Sequence, residues 1–387
     1  MMNIVFIEPY RNQLLPFTYT KPVSELRCGI LKLKDKWINY YPDAQFSNLT
    51  EYYLSEMWPL HLEDDNFFIN VSVFPDQTLV ESIIELQTGE ALKYKDEIIA
   101  YRSSKPKQYS DIKNLEQKPL ILKHTWDIFA HNHEAIQSDF DVLTLNKTSE
   151  PIPEHVLAIK PEHIFIEKGA NLFNATLNAK DGPVYIGKGS EVMESVNIRG
   201  PFALCDHAIL KMGAKIYTGT TIGPYSKVGG EVNNSVIQGY SNKGHDGFLG
   251  NSVIGEWCNL GADTNTSNLK NNYASVKLWD YQKGGFKYTG LQFCGLMMGD
   301  HSKCGINTMF NTGTVVGVSA NIYGAGFPRN FIPSFSWGGN SGFITYKFNK
   351  AIEVAKVVMK RRQKTLNDKD ISILNQVFED TRNFRQR

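Results

Sequence analysis

The sequence has few cysteines and no long apolar run. Its five cysteines are Cys28, Cys205, Cys258, Cys294 and Cys304. Their number is odd and they show none of the paired spacings of zinc sites, so we expect reduced thiols. No apolar stretch approaches the roughly 18 residues that a membrane-spanning helix needs. The opening residues, MMNIVFIEPYRN, lack a basic region and a cleavage site and are typical of a first β-strand. We therefore predict a cytoplasmic protein without a membrane partner.

An excess of charge of either sign is also absent. The 41 lysines and arginines nearly balance the 40 aspartates and glutamates, which leaves a net charge of +1 with His neutral. No block of like charge interrupts this balance. Proteins that bind nucleic acids usually carry a basic patch, so we expect small-molecule ligands and no nucleic-acid partner. A chain of 387 residues is long enough for two or three domains.

What the sequence does contain is an aliphatic residue at every sixth position of its second half. The first run consists of Ile186, Val192, Ile198, Leu204, Leu210, Ile216, Ile222 and Val228. The second run consists of Met298, Cys304, Phe310, Val316 and Ile322. A helix repeats every 3.6 residues and a strand every two, so neither explains this period. It predicts a parallel β-helix with three six-residue sides per coil, in which these residues stack inward.

Three domains are expected. Residues 1–150 alternate strand-like and helix-like spacing, which predicts an α/β, Rossmann-like domain with a parallel sheet. We expect its strands at 3–7 and 67–71 and its helices at 23–41, 76–86 and 125–138. Residues 151–340 form the β-helix. Residues 341–387 form a C-terminal helical cap and tail, with a helix over 346–363 that covers the open end of the β-helix, followed by a polar tail.

The sixfold step is interrupted between Thr266 and Met298. In repeat proteins such insertions project from one face, which is often the binding face. The segment from Ser241 to Asn268, SNKGHDGFLGNSVIGEWCNLGADTNTSN, lies just before this interruption. We therefore expect the active site at this boundary.

The segment resembles the acetyltransferase half of the bifunctional N-acetylglucosamine-1-phosphate uridylyltransferases, which are also glucosamine-1-phosphate N-acetyltransferases. The resemblance implies that His245 is the catalytic base and that Asn259 helps to position the substrate or the acetyl donor. Acetyl transfer to an amine requires removal of a proton from the attacking nitrogen, and imidazole is suited to this role. Lys227, Lys243, Phe248, Asn268 and Lys277 are the further residues expected to bind substrate or acetyl-CoA.

Three positions differ from the family pattern. One is Leu204, which ends the segment GPFAL where the family has Gly-Pro-Phe-Ala-Arg. Phe248 stands where the family usually has a tyrosine, and Asn233 stands where it has a lysine that holds the sugar phosphate. Another cation must then hold a phosphate. The candidates are Lys211, Lys215, Lys227, Lys243 and Lys277.

The N-terminal residues resemble the opening of sugar-phosphate nucleotidyltransferases. The segment from Leu14 to Pro22, LLPFTYTKP, keeps the family's Leu-x-Pro-x-Thr core but lacks its glycine-rich loop. Backbone N–H groups of that loop approach a triphosphate closely. Without it, we expect Arg11, Lys21 and Arg27 to bind nucleotide phosphate and Asp76 to bind a metal. With TKPVSELRCGI and GDHSKCGINTMFNTGTVVG, the chain resembles a bacterial family of sugar nucleotidyltransferases with hexapeptide repeats.

The resemblance implies a transferase of nucleotide-sugar metabolism with a left-handed β-helix, assembled as a homotrimer. The first hypothesis is acetyl-CoA-dependent N-acetylation of an amino-sugar phosphate, with a variant nucleotidyltransferase-like domain. The second is an active sugar-1-phosphate nucleotidyltransferase that uses UTP or dTTP with Mg²⁺. The third is a non-catalytic scaffold that binds nucleotide sugars. A zinc site of the γ-type carbonic anhydrase kind would require three histidines together, for which His207, His245 and His301 are the candidates.

Overall fold

The computed structural model describes residues 2–385. Residue 1 of the predicted first domain and residues 386–387 of the predicted tail lie outside this range. The predicted fold class is confirmed: a Rossmann-like N-terminal sheet is followed by a long parallel β-helix and then by C-terminal helices. No helix in the described range is both long and apolar enough to cross a lipid bilayer.

The N-terminal sheet has six strands in the order β2-β1-β3-β5-β4-β6. They are β1 (Asn3–Ile7), β2 (Gln45–Leu49), β3 (Asn66–Asn70), β4 (Glu90–Tyr94), β5 (Glu97–Ser103) and β6 (Asp111–Asn114). β1 is parallel to β2 and β3, and β4 is parallel to β6. β5 is antiparallel to both of its neighbours, so the prediction of an all-parallel sheet is wrong for this half. The reason is that β4 and β5 are joined by a two-residue turn and not by a crossover helix; Lys95 in this turn has φ +53°.

Four helices accompany this sheet. They are α1 (Leu33–Tyr40), α2 (Gln77–Ile84), α3 (Asp127–Ala130) and α4 (Asn132–Thr144). The helix predicted over 23–41 is wrong before Leu33, where only Val23–Glu25 makes a short 3-10 turn. The backbone N–H of Arg27 donates to the Gln238 side chain and that of Gly29 donates to the Asn132 side chain, each at 2.7 Å. These contacts replace helical hydrogen bonds and bind the segment to the β-helix and to α4.

The β-helix has three faces. The first face is formed by β7 (Leu157–Ile159), β10 (Thr176–Asn178), β13 (Asn197–Arg199), β16 (Lys215–Ile216), β19 (Glu231–Asn233) and β22 (Phe248–Gly250), and continues as the separate pair β25 (Asn265–Thr266) and β30 (Met309–Phe310). The second face is formed by β8 (Ile164–Ile166), β11 (Val184–Ile186), β14 (Phe202–Leu204), β17 (Thr220–Ile222), β20 (Val236–Gly239), β23 (Val253–Glu256), β28 (Leu296–Met298), β31 (Thr314–Val316) and β33 (Phe331–Ile332).

The third face is formed by β9 (Asn171–Leu172), β12 (Glu191–Val192), β15 (Ile209–Leu210), β18 (Lys227–Val228), β21 (Asn242–Lys243), β24 (Asn259–Leu260), β29 (Lys303–Cys304), β32 (Asn321–Ile322), β34 (Ser336–Gly339) and the antiparallel β35 (Gly342–Thr345).

The sixfold residues stack as predicted; on the second face, for example, Ile186 pairs with Leu204 and Leu204 with Ile222. The predicted interruption contains the hairpin of β26 (Lys277–Asp280) and β27 (Gly285–Tyr288).

The N-terminal domain packs against the second face. Val236, Val253, Met297 and Val315 of that face belong to the same apolar core as the N-terminal sheet. The Nδ2 of Asn132, in α4, donates to the carbonyl of Gly219 at 2.8 Å. The second face is therefore buried against the N-terminal domain.

The C-terminal helices are α5 (Phe348–Lys360), α6 (Asp368–Asp380) and α7 (Arg382–Arg385). The helix predicted over 346–363 is present as α5, but it runs along the third face instead of covering the open end. Its apolar side packs in a cluster that contains Trp257, Val318 and Phe335 of the β-helix. The polar tail predicted after it is wrong for the described residues, because Asn367 caps α6 with a capping box and Leu374 and Val377 are buried.

Candidate functional site

A cleft of about 660 Å³ lies between the third face and α5. Its floor is formed by Lys227, Asn242, Asn259 and Lys303, which occupy the outward position of four neighbouring strands. From α5 and the turn after it, Val354, Val358, Arg361 and Arg362 close the other side. Nη2 of Arg362 donates to Oδ1 of Asn242 at 3.0 Å, which joins the two walls.

Five cations line this cleft: Lys211, Lys227, Lys303, Arg361 and Arg362. Within residues 2–385, none of them forms an ion pair with a carboxylate. Burial lowers the pKa of Lys227, and the neighbouring charges of Arg362, Lys211 and Arg361 lower it further. Burial lowers the pKa of Lys303 to about 8. The crowding of like charge around Lys227 favours the binding of an anion.

The predicted base lies at one edge of the cleft. His245 is exposed in the loop between β21 and β22, and the outward side chain of Asn259 lies on the cleft floor. The structure thus brings His245 and Asn259 together with Lys211 and Lys227, two of the candidate phosphate-binding cations. An imidazole, an amide and several cations in one cleft form a chemically coherent set for group transfer involving an anionic substrate.

The other predicted substrate residues lie elsewhere. Lys243 points into the β-helix and is 3% exposed. Phe248 begins β22 on the first face, and Asn268 follows β25, where its Nδ2 donates to Oδ1 of Asn251 at 2.8 Å. Nζ of Lys277 lies 4.3 Å from the ring centroid of Tyr288 on the inserted hairpin. None of these four predicted residues lines the cleft between the third face and α5.

Lys277 instead borders a second cavity of about 600 Å³, between the inserted hairpin and the last coils. Its aromatic side chains contact one another: the rings of Trp279 and Phe331 stack with centroids 4.0 Å apart, and Phe384 meets Trp279 edge-on. These contacts hold the inserted hairpin against the body of the β-helix.

In the N-terminal domain, the predicted phosphate-binding cations are buried and have partners within the chain. Arg11 donates to the carbonyls of Thr18 and Lys21 and to the hydroxyl of Tyr53, and it pairs with Glu8 at 3.3 Å. Burial raises the pKa of Glu8 to about 7, although the Arg11 charge opposes this rise. The three cations Arg11, Lys21 and Arg27 are 5–7% exposed.

Lys21 forms an ion triad between domains. Its Nζ lies 2.6 Å from Oε2 of Glu256 and 2.9 Å from Oδ2 of Asp300, both in the β-helix. Burial alone would lower the pKa of Lys21, but the charges of Asp300 and Glu256 outweigh it and raise the pKa. Arg27 donates from its guanidinium to the carbonyl of Ile30, and its backbone contacts Gln238 in both directions. The segment predicted to bind nucleotide is therefore an interdomain contact in this structure.

Asp76, the predicted metal ligand, is the N-cap of α2 and accepts from the backbone N–H of Leu79 at 2.8 Å. Among residues 2–385, no group of three or more His, Cys, Asp and Glu side chains stands close enough to hold a metal ion. Mg²⁺, however, is often bound by only one or two carboxylates together with substrate phosphates. The absence of a group of three or more among the described residues therefore does not test Asp76, and its role stays a prediction.

The three histidines of the zinc alternative are not brought together within the described residues. His207 and His301 lie at the two ends of a stack of rings along the corner between the second and third faces. The stack runs through His207, Tyr225, Tyr240, Trp257 and His301 with neighbouring centroids 4.3–6.3 Å apart. His245 lies at the opposite corner of the third face, so no support exists for the zinc alternative.

Sequence reasoning missed Asn242, Lys303, Arg361 and Arg362 as cleft residues. The sequence does indicate an outward position for Lys303. It directly precedes the inward Cys304, just as Asn259 precedes the inward Leu260 on the same face. No comparable signal exists for the two arginines, because their approach to the cleft depends on how α5 docks.

Comparison with known proteins agrees with the N-terminal resemblance. Residues 3–148 match a family model described as sugar nucleotidyl transferase. A bifunctional sugar-1-phosphate nucleotidylyltransferase/acetyltransferase of Sulfurisphaera tokodaii is 33% identical over 178 residues, which cover 41% of this chain and 44% of that protein. The bifunctional protein GlmU of Methanocaldococcus jannaschii is 36% identical over 87 residues, covering 22% of this chain and 21% of that protein.

The predicted resemblance to these enzymes is therefore confirmed, although the chain spans less than half the length of either relative. Among solved structures, the polySia-specific acetyltransferase NeuO aligns with 49% of this chain and 82% of its own, at 14% identity and a TM-score of 0.28.

Proposed function

We propose that the chain is a sugar-phosphate transferase whose cleft between the third face and α5 transfers an acyl group from acyl-CoA to an amino-sugar phosphate. The observation that carries this proposal is that His245 and Asn259 line the same cleft as five cations without carboxylate partners in the described residues. Acetyl-CoA is the donor expected from the resemblance. CoA carries several phosphates, which are the natural ligands of crowded lysine and arginine side chains.

The chemistry assigned to the cleft is a nucleophilic acyl substitution. The amine nitrogen attacks the thioester carbonyl, the new C–N bond forms and the C–S bond breaks. His245 accepts the proton that the nitrogen loses and returns it to the departing thiolate. Asn259 supplies an amide that positions the substrate or the donor. The cations hold the phosphates and take no part in proton transfer.

The N-terminal domain is proposed to be a variant nucleotidyltransferase-like domain. An active sugar-1-phosphate nucleotidyltransferase with UTP or dTTP and Mg²⁺ is the second candidate, and the family match over residues 3–148 favours it. The burial of Arg11, Lys21 and Arg27 favours instead the variant domain, with a role in supporting the β-helix. A homotrimer and a cytoplasmic location stay predictions; sedimentation of the purified chain tests the former.

The deciding experiment measures CoA release from acetyl-CoA with a panel of amino-sugar phosphates. We expect turnover by wild type and a decrease of about 10²-fold or more in His245→Ala, because the base is lost. His163→Ala removes an exposed histidine away from the cleft and is the matched control. Equal rates for wild type and His245→Ala would remove His245 as the base. Pyrophosphate release with sugar 1-phosphates in the absence of CoA release would favour the nucleotidyltransferase instead.

A further inference from the structure

One coil of the β-helix carries a lysine where its neighbouring coils carry apolar side chains. On the third face, Lys243 pairs in register with Val228 and stands next to Leu260, both of which are fully buried in the core column. Lys243 itself is 3% exposed. A lysine is almost never fully buried without partners, so its presence in this column requires an explanation.

The partners of Lys243 lie in the backbone of two neighbouring coils. Its Nζ donates to the carbonyl of Gly229 at 2.9 Å and to the carbonyl of His245 at 2.8 Å. The second bond fastens, from inside the coil, the loop of residues 244–247 that carries the predicted base. The carboxylates that face Lys243 are those of Asp246 and Asp263, which oppose the decrease in its pKa that burial causes.

A glycine leaves the space that this arrangement needs. Gly230 has φ +73°, and a Cβ atom there would lie 2.8 Å from Nζ of Lys243, 2.8 Å from the carbonyl oxygen of Gly247 and 2.9 Å from Cα of Asp246. Any larger residue would displace the amine, the loop or both. Gly230 and Lys243 therefore act together on the same loop.

We propose that Lys243 is a positioning residue, which fixes the loop of residues 244–247 from inside the β-helix so that His245 faces the cleft. The inference rests on the proposed acyl transfer and assigns Lys243 a role other than contact with substrate. Burial of an amine in an apolar core lowers the stability of the fold. Such an unfavourable residue is expected where it supports a functional site, here the loop that carries His245.

The first test is Lys243→Met, which keeps an unbranched side chain that is one atom shorter and removes its donors. We expect kcat for CoA release to decrease about 30- to 100-fold through misplacement of the base, with KM for acetyl-CoA unchanged within about threefold. Leu210→Met places the same side chain in the same column two coils earlier and is the control. An unchanged kcat would overturn the proposal. So would a Lys243→Met protein that fails to fold while Leu210→Met folds, because Lys243 would then serve stability.

The second test perturbs the loop of residues 244–247 through Gly230 and leaves Lys243 unchanged. Gly230→Ala is expected to lower kcat with little change in KM. Gly213→Ala is matched, because Gly213 has φ +71° and a Cβ atom there meets nothing within 4 Å. The two variants carry the same backbone strain, so equal kcat values in both would contradict the proposal.

A third measurement separates this inference from the proposed function. Amide hydrogen exchange of the segment 244–247 requires no substrate, and we expect it to be faster in Lys243→Met than in Leu210→Met. Faster exchange in a protein that releases no CoA with any acceptor would support the positioning of the loop and contradict acyl transfer. Unchanged exchange in an active protein would support acyl transfer and contradict the positioning role.

Discussion

Two groups of cations in this protein have opposite surroundings. Those of the N-terminal domain, Arg11, Lys21 and Arg27, are buried and donate to carbonyls or carboxylates of the chain. The second group is Lys211, Lys227, Lys303, Arg361 and Arg362, which line an open cleft. Lys303 donates to the carbonyl of His301 and Arg362 to Asn242, but none of the five has a carboxylate partner in the described residues. The same residue types thus bond groups of the protein itself in one region, where Lys21 joins the two domains, and leave charge available to a ligand in the other. The difference arises from the partners that the fold supplies, which a residue type alone does not indicate.

The largest effect is expected at the interdomain triad. Lys21→Met leaves Glu256 and Asp300 without their common partner, and breaking a buried ion pair in this way costs about 3–5 kcal/mol. We expect a corresponding decrease in the free energy of unfolding, measured by urea denaturation, and no change in KM for acetyl-CoA. Lys350→Ala removes an exposed pair with Glu353 and should change stability by less than about 0.5 kcal/mol. A Lys21→Met protein of normal stability would show that the triad does not hold the domains together.

A smaller effect, on binding only, is expected from the paired substitution Arg361→Ala and Arg362→Ala. Hydrogen bonds to charged groups contribute about 1.5–3 kcal/mol each, so the loss of one such contact increases KM for acetyl-CoA about 10- to 100-fold, and we expect at least this increase when both arginines are removed. Stability should be nearly unchanged. Lys356→Ala on the exposed side of α5 is the control, because Lys356 does not line the cleft. An unchanged KM in the double variant would show that these arginines do not hold the donor.

The smallest effect concerns pH. Because burial lowers the pKa of Lys303 to about 8, its amine loses charge as the pH rises from 7 to 9. A bound anion favours the charged amine, so affinity is present below pH 8 and decreases above it. We expect KM for acetyl-CoA to increase about three- to tenfold over this range, since the charged fraction of an amine with a pKa near 8 decreases about tenfold between pH 7 and pH 9. In Lys303→Met the KM should be high at both pH values; a wild-type KM that does not change with pH would exclude Lys303 from the anion site.

Much of the fold could be predicted because the sixfold period fits only one architecture. The sixfold spacing of inward residues ends after Val228 because the next coil is shorter. The step from Ile222 to its stacked neighbour Ile237 is 15 residues, whereas that from Leu204 to Ile222 is 18. For this reason the inward orientation of Lys243 was not evident, and the residue was expected to contact substrate. The shortened coil is also the one that leads into the His245 loop.

Half of the candidate site could be predicted as well. His245 and Asn259 followed from a local motif, whereas Arg361 and Arg362 lie about a hundred residues further on and reach the cleft only because α5 packs along the third face. The N-terminal cations show the opposite failure. Their sequence context resembles a phosphate-binding segment, but Glu256 and Asp300 pair with Lys21, and the guanidinium groups of Arg11 and Arg27 donate to carbonyls of the N-terminal domain.

The most direct test of the cleft as a phosphate-binding donor site is calorimetric titration with CoA and with pantetheine, which shares the thiol arm but lacks the phosphates. If the five cations bind the phosphates, CoA should bind at least about tenfold more tightly than pantetheine, and the difference should decrease with added salt. Equal affinity for the two compounds, or no saturable binding of CoA, would contradict the assignment.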